Sequence, residues 1–167
     1  SMKNKSFITL LTITILLLFS VNSFVYSEIK AEYYENGKIR NETSFEDGKE
    51  NGLITFWHEN GNRSLEANFK VGTPHVSWTR WNEDGKKRGE GFWLNGEADG
   101  LESRWNDHGV KVEEINYKNG KFDGKWIEWS EDGEKIFEGN YQNNLKVGVH
   151  TWWFLNGDKR YEEHYSR

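Results

Sequence analysis

Gly37, Gly61, Gly85, Gly109, Gly133 and Gly157 stand 24 residues apart, with no insertion or deletion between them. A period of that length is one supersecondary unit per repeat, which cannot bury its apolar side alone and must stack on its neighbours. Other positions keep the same register. Trp57, Trp81, Trp105, Trp129 and Trp153 precede five of these glycines by four residues, with Tyr33 in the first copy. Phe45, Phe69, Trp93, Tyr117, Tyr141 and Tyr165 form a register of rings, and Glu42, Glu66, Glu90, Glu114, Glu138 and Glu162 a register of carboxylates.

Residues 1–27 stand outside the repeat. Lys3 and Lys5 open an apolar run from Phe7 to Phe19, and Val25-Tyr26-Ser27 suits a cleavage site. The segment reads as a secretory signal peptide, the alternative being an uncleaved anchor. Ser1, ahead of Met2, reads as an added residue. The expected division is therefore a leader at 1–27 and a repeat domain at 28–167, placed in the periplasm, at the cell surface or outside the cell. The chain has no cysteine, which excludes disulfides, thiolate chemistry and a lipidated amino-terminal cysteine. Without Lys3 and Lys5, 20 of the 22 basic residues face 27 acids, a net charge of −7 for residues 28–167. An acidic chain with no basic cluster argues against nucleic acid and against strong binding to membrane lipid.

Each repeat carries two turn signals. The first is Glu35-Asn36-Gly37 and its equivalents; the second falls at Gly48, Gly72, Gly96, Gly120 and Asn144, where asparagine replaces glycine as the next best residue for positive φ. The short segments between turns are rich in β-branched and aromatic residues, so they read as strands. The expected fold is all-β: an elongated antiparallel meander of about six hairpin repeats in a single twisted or curled sheet. A three-residue loop with a left-handed glycine pairs Trp57 with Arg63 and places Trp57, Leu65, Ala67 and Phe69 on one face. A two-residue type I′ turn would put Trp57 beside Glu66 and split the rings. Burying rings together favours the first arrangement. On that register Ile54, Phe56, Trp78, Trp126 and Trp152 face away from the main ring stack. Arg80 and Arg104 then become cross-strand partners for the glutamate register.

The copy from Pro74 to Glu97 departs from the pattern. Val76 stands where other copies have glycine, and Gly89 and Gly91 fall inside a strand. Those glycines imply a kink, a close backbone approach or a binding notch. His58, His75, His108, His150 and His164 occupy five different registers, with no metal-ligand spacing. No nucleophile triad or phosphate loop stands out, and the repeated acids are not a single carboxylate pair in one cleft. Catalytic, metal and cofactor residues are therefore expected to be absent.

The pattern G-x-W-x-x-W-x-x-D-G-x-x-x-x-E-G-x-Y-x-N from Gly124 to Asn143 resembles the MORN-repeat variant of bacterial proteins, including the YwqK-type antitoxins. The resemblance spans Ala31 to Tyr165. It implies a β-sheet rod that contacts proteins or membrane surfaces and has no catalytic residues to carry over. The secretory leader fits a MORN-variant protein of the envelope, associated with a surface adhesin, better than a cytoplasmic antitoxin. A protein partner, adhesin or toxin, is thus expected first, and a glycan or cell-wall polymer second. The candidate contact residues are Trp78, Trp126, Trp152, Arg80 and Arg104.

Overall fold

The computed structural model describes residues 11–15, 26–70 and 73–166. They form one open antiparallel sheet laid down in chain order: β1 (Leu11–Ile15), β2 (Ser27–Tyr33), β3 (Ile39–Glu46), β4 (Lys49–Trp57), β5 (Arg63–Lys70), β6 (Thr73–Trp81), β7 (Lys87–Leu94), β8 (Glu97–Ala98), β9 (Gly100–Trp105), β10 (Lys111–Lys118), β11 (Lys121–Trp129), β12 (Lys135–Gln142), β13 (Leu145–Trp153) and β14 (Lys159–Tyr165). β8 and β9 are two halves of one strand, both paired with β7. The expected all-β meander of hairpin repeats is what forms. Within the proposed leader, Leu11–Ile15 pair with β2, and residues 1–10 and 16–25 lie outside the described residues.

Two kinds of tight turn alternate along the chain. At the first, the Tyr34 N–H donates to the Lys38 carbonyl at 2.8 Å and the Gly37 N–H to the Tyr34 carbonyl at 2.9 Å, a pattern repeated at His58, Asn82, Asn106, Ser130 and Phe154. The glycine is left-handed there, with φ of 81° at Gly37 and 91° at Gly133, which makes this the expected three-residue bulged loop. At the second turn both central residues are left-handed. Asn119 and Gly120 have φ of 49° and 71°, and Asn143 and Asn144 have 50° and 68°, so asparagine does stand in for glycine.

The register brings a correction. Trp57 pairs with Arg63 as expected, but Phe56 pairs with Leu65, leaving Ser64 as an extra residue. A one-residue slip moves every following side chain to the other face. Trp57 therefore shares its face with Thr55 and Glu66, while Phe56, Leu65, Ala67 and Phe69 share the opposite one. The same slip recurs at Trp81, Trp105, Trp129 and Trp153. The two ring registers are divided between the faces. Ile54, Phe56, Trp78, Trp126 and Trp152 join the rings of Phe69, Tyr117 and Tyr141 instead of facing away from them.

One face is a ladder of alternating types. Across it runs a continuous row of paired residues, Ala31, Glu42, Thr55, Glu66, Thr79, Glu90, Ser103, Glu114, Ile127, Glu138, Thr151 and Glu162. The glutamates bind basic residues three positions earlier: Arg63 to Glu66 at 3.0 Å, Lys135 to Glu138 at 2.9 Å and Lys159 to Glu162 at 2.5 Å, with equivalent pairs at Lys87 and Lys111. In a plain strand residues three apart point to opposite faces, so these pairs exist because of the bulge. The same lysines lie over the tryptophan register, Lys87 at 4.9 Å and Lys111 at 5.3 Å from the Trp105 ring centre, and Lys135 at 4.5 Å from that of Trp153. Thr55, Ser103 and Thr151 are buried in this layer, while Ile54, Ala67, Ile115, Phe137 and His150 are buried on the other face. The core is therefore two thin seams, one on each side of a single sheet.

The bulged turns are joined repeat to repeat. The Tyr34 hydroxyl donates to the Trp57 carbonyl at 2.6 Å, His58 Nε2 contacts the Trp81 carbonyl at 3.0 Å, and Asn106 Nδ2 donates to the Glu131 carbonyl at 2.8 Å. These bonds span 23 or 25 residues and fix the spacing of successive hairpins along one margin of the sheet.

Candidate interaction face

All five residues singled out from the sequence, Trp78, Trp126, Trp152, Arg80 and Arg104, lie on the ring face. Two rows of paired residues cross it. One runs Phe56, Leu65, Arg80, Gly89, Arg104, Glu113, Glu128, Phe137, Trp152 and Tyr161. In the other, Ile54, Ala67, Trp78 and Gly91 lead on one side, and Ile115, Trp126 and Gly139 follow on the other.

From β10 to β14 this face is a continuous sheet of rings. Phe122 lies 5.3 Å from Tyr117 and 5.1 Å from Trp126, centre to centre, and Trp126 lies 5.5 Å from Tyr141. Phe137 joins Trp152 at 5.1 Å, and Trp152 stacks on Tyr161 at 4.5 Å with planes 11° apart. Tyr161 is 44% exposed, so the far side of that stack is open. His150 is fully buried beneath the rings, 4.8 Å from Tyr165 and 5.1 Å from Tyr141, with Nε2 2.8 Å from the Asn140 carbonyl. Burial raises the pKa of both the Tyr117 and Tyr141 phenols, as expected for hydroxyls held among rings.

From β5 to β7 the same face is a groove instead of a ridge. Leu65, Ala67, Phe69, Val76, Trp78 and Trp93 line an apolar hollow of about 750 Å³, with Arg80 at its margin. Gly89 and Gly91 explain its depth. A Cβ at Gly91 would lie 3.0 Å from Trp78 Cζ2, and one at Gly89 3.1 Å from Cζ3, so the indole lies flat on bare backbone. Of the readings offered by those glycines, the structure shows the close backbone approach, with an apolar hollow beside it. The indole N–H groups of Trp78 and Trp126 are both buried without an acceptor among the described residues.

The charges on this face also differ from expectation. Arg80 and Arg104 were expected to pair with the glutamate register, which the bulge places on the ladder face. Arg104 instead bonds Glu102 and Glu113, both at 2.8 Å. Burial works against its charge, but the bond to Glu102 and the field of Glu113 outweigh it and hold its pKa above the ordinary value. Arg80 is exposed and has no ion pair among the described residues. Glu128 has none either, and burial followed by the neighbouring Glu113 raises its pKa. Tyr161, Trp93 and Glu128 were not picked out from the sequence. Their signal was the two-residue periodicity that would have followed from the correct bulge.

Among the described residues, no group of three histidine or carboxylate side chains converges as metal ligands do. The family model described as the MORN repeat variant matches residues 31–47, 50–70, 98–119 and 122–143. The chain belongs to the MORN-repeat family. MORN repeats are in general non-catalytic modules that bind proteins or membranes. The stretch between residues 70 and 98, which the family model leaves unmatched, holds the divergent repeat with Trp78. No curated protein matches the chain.

Proposed function

We propose that this MORN-repeat protein is an exported, non-enzymatic binding scaffold of the cell envelope or surface, whose ring face holds another protein. One observation carries the reading: a broad face of half-exposed rings, presented by a rigid sheet, on which all five candidate residues converge. Large aromatic side chains supply most of the energy at protein interfaces because each buries much area for little lost freedom. The leader expected at residues 1–27 would direct export, and an envelope partner such as an adhesin accords with that expectation. A cognate toxin is the alternative protein partner. The test is affinity isolation from native envelopes with the wild-type protein and with Trp152→Ala and Tyr161→Ala. One protein retained by the wild type and lost with both variants supports the reading; capture that ignores both substitutions overturns it. The open Trp152–Tyr161 stack also favours a second reading, a glycan lying on the exposed ring. Glycan-array binding that disappears with Tyr161→Ala would replace the protein by a sugar.

A further inference from the structure

The two halves of the ring face are unlike, and they are complementary to each other. On the β5–β7 side there is an apolar hollow with an unpaired cation, Arg80, at its margin. On the β10–β12 side there is a ridge of rings, Tyr117, Phe122, Trp126 and Tyr141, beside Glu128, an anion with no ion pair among the described residues. β9 lies midway between β6 and β11 in the sheet, since β7 fills one side and β10 the other. Arg80 and Glu128 belong to the same row of paired residues and are equally far from Arg104 at its centre.

We infer that the protein held by the ring face is a second copy of this chain, packed face to face about a twofold axis that runs along β9. The inference rests on the reading of the ring face as a protein-binding surface and names its occupant. A rotation about an axis parallel to the strands keeps each row in place and reverses the order of strands. Arg80 of one copy then faces Glu128 of the other, and by symmetry Glu128 faces Arg80. Phe56 meets Trp152 in the same row. In the neighbouring row Trp78 meets Trp126. The twofold axis perpendicular to the strands would instead set Arg80 on Arg80 and Glu128 on Glu128. At the axis itself Arg104 is already neutralised within each copy by Glu102 and Glu113.

Two further quantities agree. Such a contact is isologous, as twofold interfaces are, so one unpaired charge of each sign is what the surface needs. The face from β4 to β13 measures roughly 40 Å by 25 Å from strand spacing and rise. Stacking covers on the order of 1,000 Å² on each copy, about what a stable dimer buries. Aligned sheets packed about 10 Å apart leave room for the ridge of one copy to enter the hollow of the other. A foreign partner of the ring face then competes with self-association.

The test is sedimentation equilibrium on the purified chain between 1 and 100 µM, values of the order at which specific dimers form. Wild type is expected at the dimer mass. Arg80→Glu alone and Glu128→Arg alone each put like charges together at both contacts and weaken the dimer at least tenfold. Mixing the two variants restores opposite charges at both contacts, so a heterodimer of wild-type strength forms. That recovery cannot come from misfolded chains. A monomeric wild type, single variants that dimerise normally, or a mixture that stays monomeric each overturns the pairing. A monomeric wild type that still captures an envelope protein through Trp152 and Tyr161 sinks the pairing alone. Dimers that obey the charge exchange, with capture indifferent to those rings, sink the envelope reading alone.

Discussion

Single residues in this sheet are constrained by what lies flat upon them. Gly139 is the clearest case: a Cβ there would lie 2.6 Å from His150 Nδ1 and 2.7 Å from Phe137 Cζ, closer than side chains ever pack. His150 is buried under four rings, so it has no room to retreat. Gly139→Ala should cost about 1–3 kcal/mol, the usual range for overpacking. Urea unfolding checks this, and an unchanged midpoint would show that the rings move freely. Glu138 illustrates the other face. Hydrogen bonds from Lys125 at 2.7 Å and Lys135 at 2.9 Å lower its pKa. A lowered carboxylate stabilises the fold above its unfolded value, about 4.3, and loses that contribution as pH falls through the folded value. Glu138→Gln should therefore destabilise by about 0.5–1 kcal/mol at pH 7, the scale of a half-exposed pair. The difference should shrink when the same comparison is made in acid, as the pH falls through the folded value. Equal destabilisation at the two pH values would assign the effect to packing.

At the scale of elements, the hairpin turn carries more than a reversal of direction. Asn106 is buried; its Oδ1 accepts from the His108 and Val110 N–H groups at 3.0 Å each, and its Nδ2 donates to the Glu131 carbonyl at 2.8 Å. One side chain thus closes its own loop and ties it to the next. Asn106→Ala leaves these groups short of a partner and should cost about 1–3 kcal/mol. Hydrogen exchange should quicken at the His108 and Val110 amides, and full protection at both would refute the assignment. The turn chemistry was legible in the sequence because glycine and asparagine at fixed registers serve few purposes other than positive φ. The strands, their order and the odd copy around Gly89 and Gly91 followed from the same punctuation. The faces did not follow, because a bulge such as Ser64 leaves no residue type that marks it. A trace existed in the recurring spacing of Arg63 to Glu66, Lys87 to Glu90, Lys111 to Glu114, Lys135 to Glu138 and Lys159 to Glu162. Five ion pairs three residues apart in strands require the slip that places them side by side. The groove beside Trp78 was legible only in part. Its glycines stood out, but what lay on them depended on the face.

At the scale of the whole molecule, no second layer of this chain covers either side of the sheet among the described residues, and substantial contacts join only strands that are sheet neighbours. Stability is then close to a sum of repeat terms and nearest-neighbour interfaces, as in other linear arrays. Removing an end repeat should subtract its share and leave the rest standing. A chain cut after Gln142 loses β13 and β14, and with them His150 and Trp152, which rest on Phe137. It keeps every interface from β2 to β12. Because the denaturant slope follows the surface exposed on unfolding, the m-value should fall by roughly a sixth, one repeat of about six. The β signal in circular dichroism and a cooperative transition should both persist, with a lower midpoint. In a two-layer domain the same cut would open the single core and unfold the chain. A truncated protein without β structure would therefore mean that distant repeats hold each other, and that the sheet does not behave as a string of neighbours.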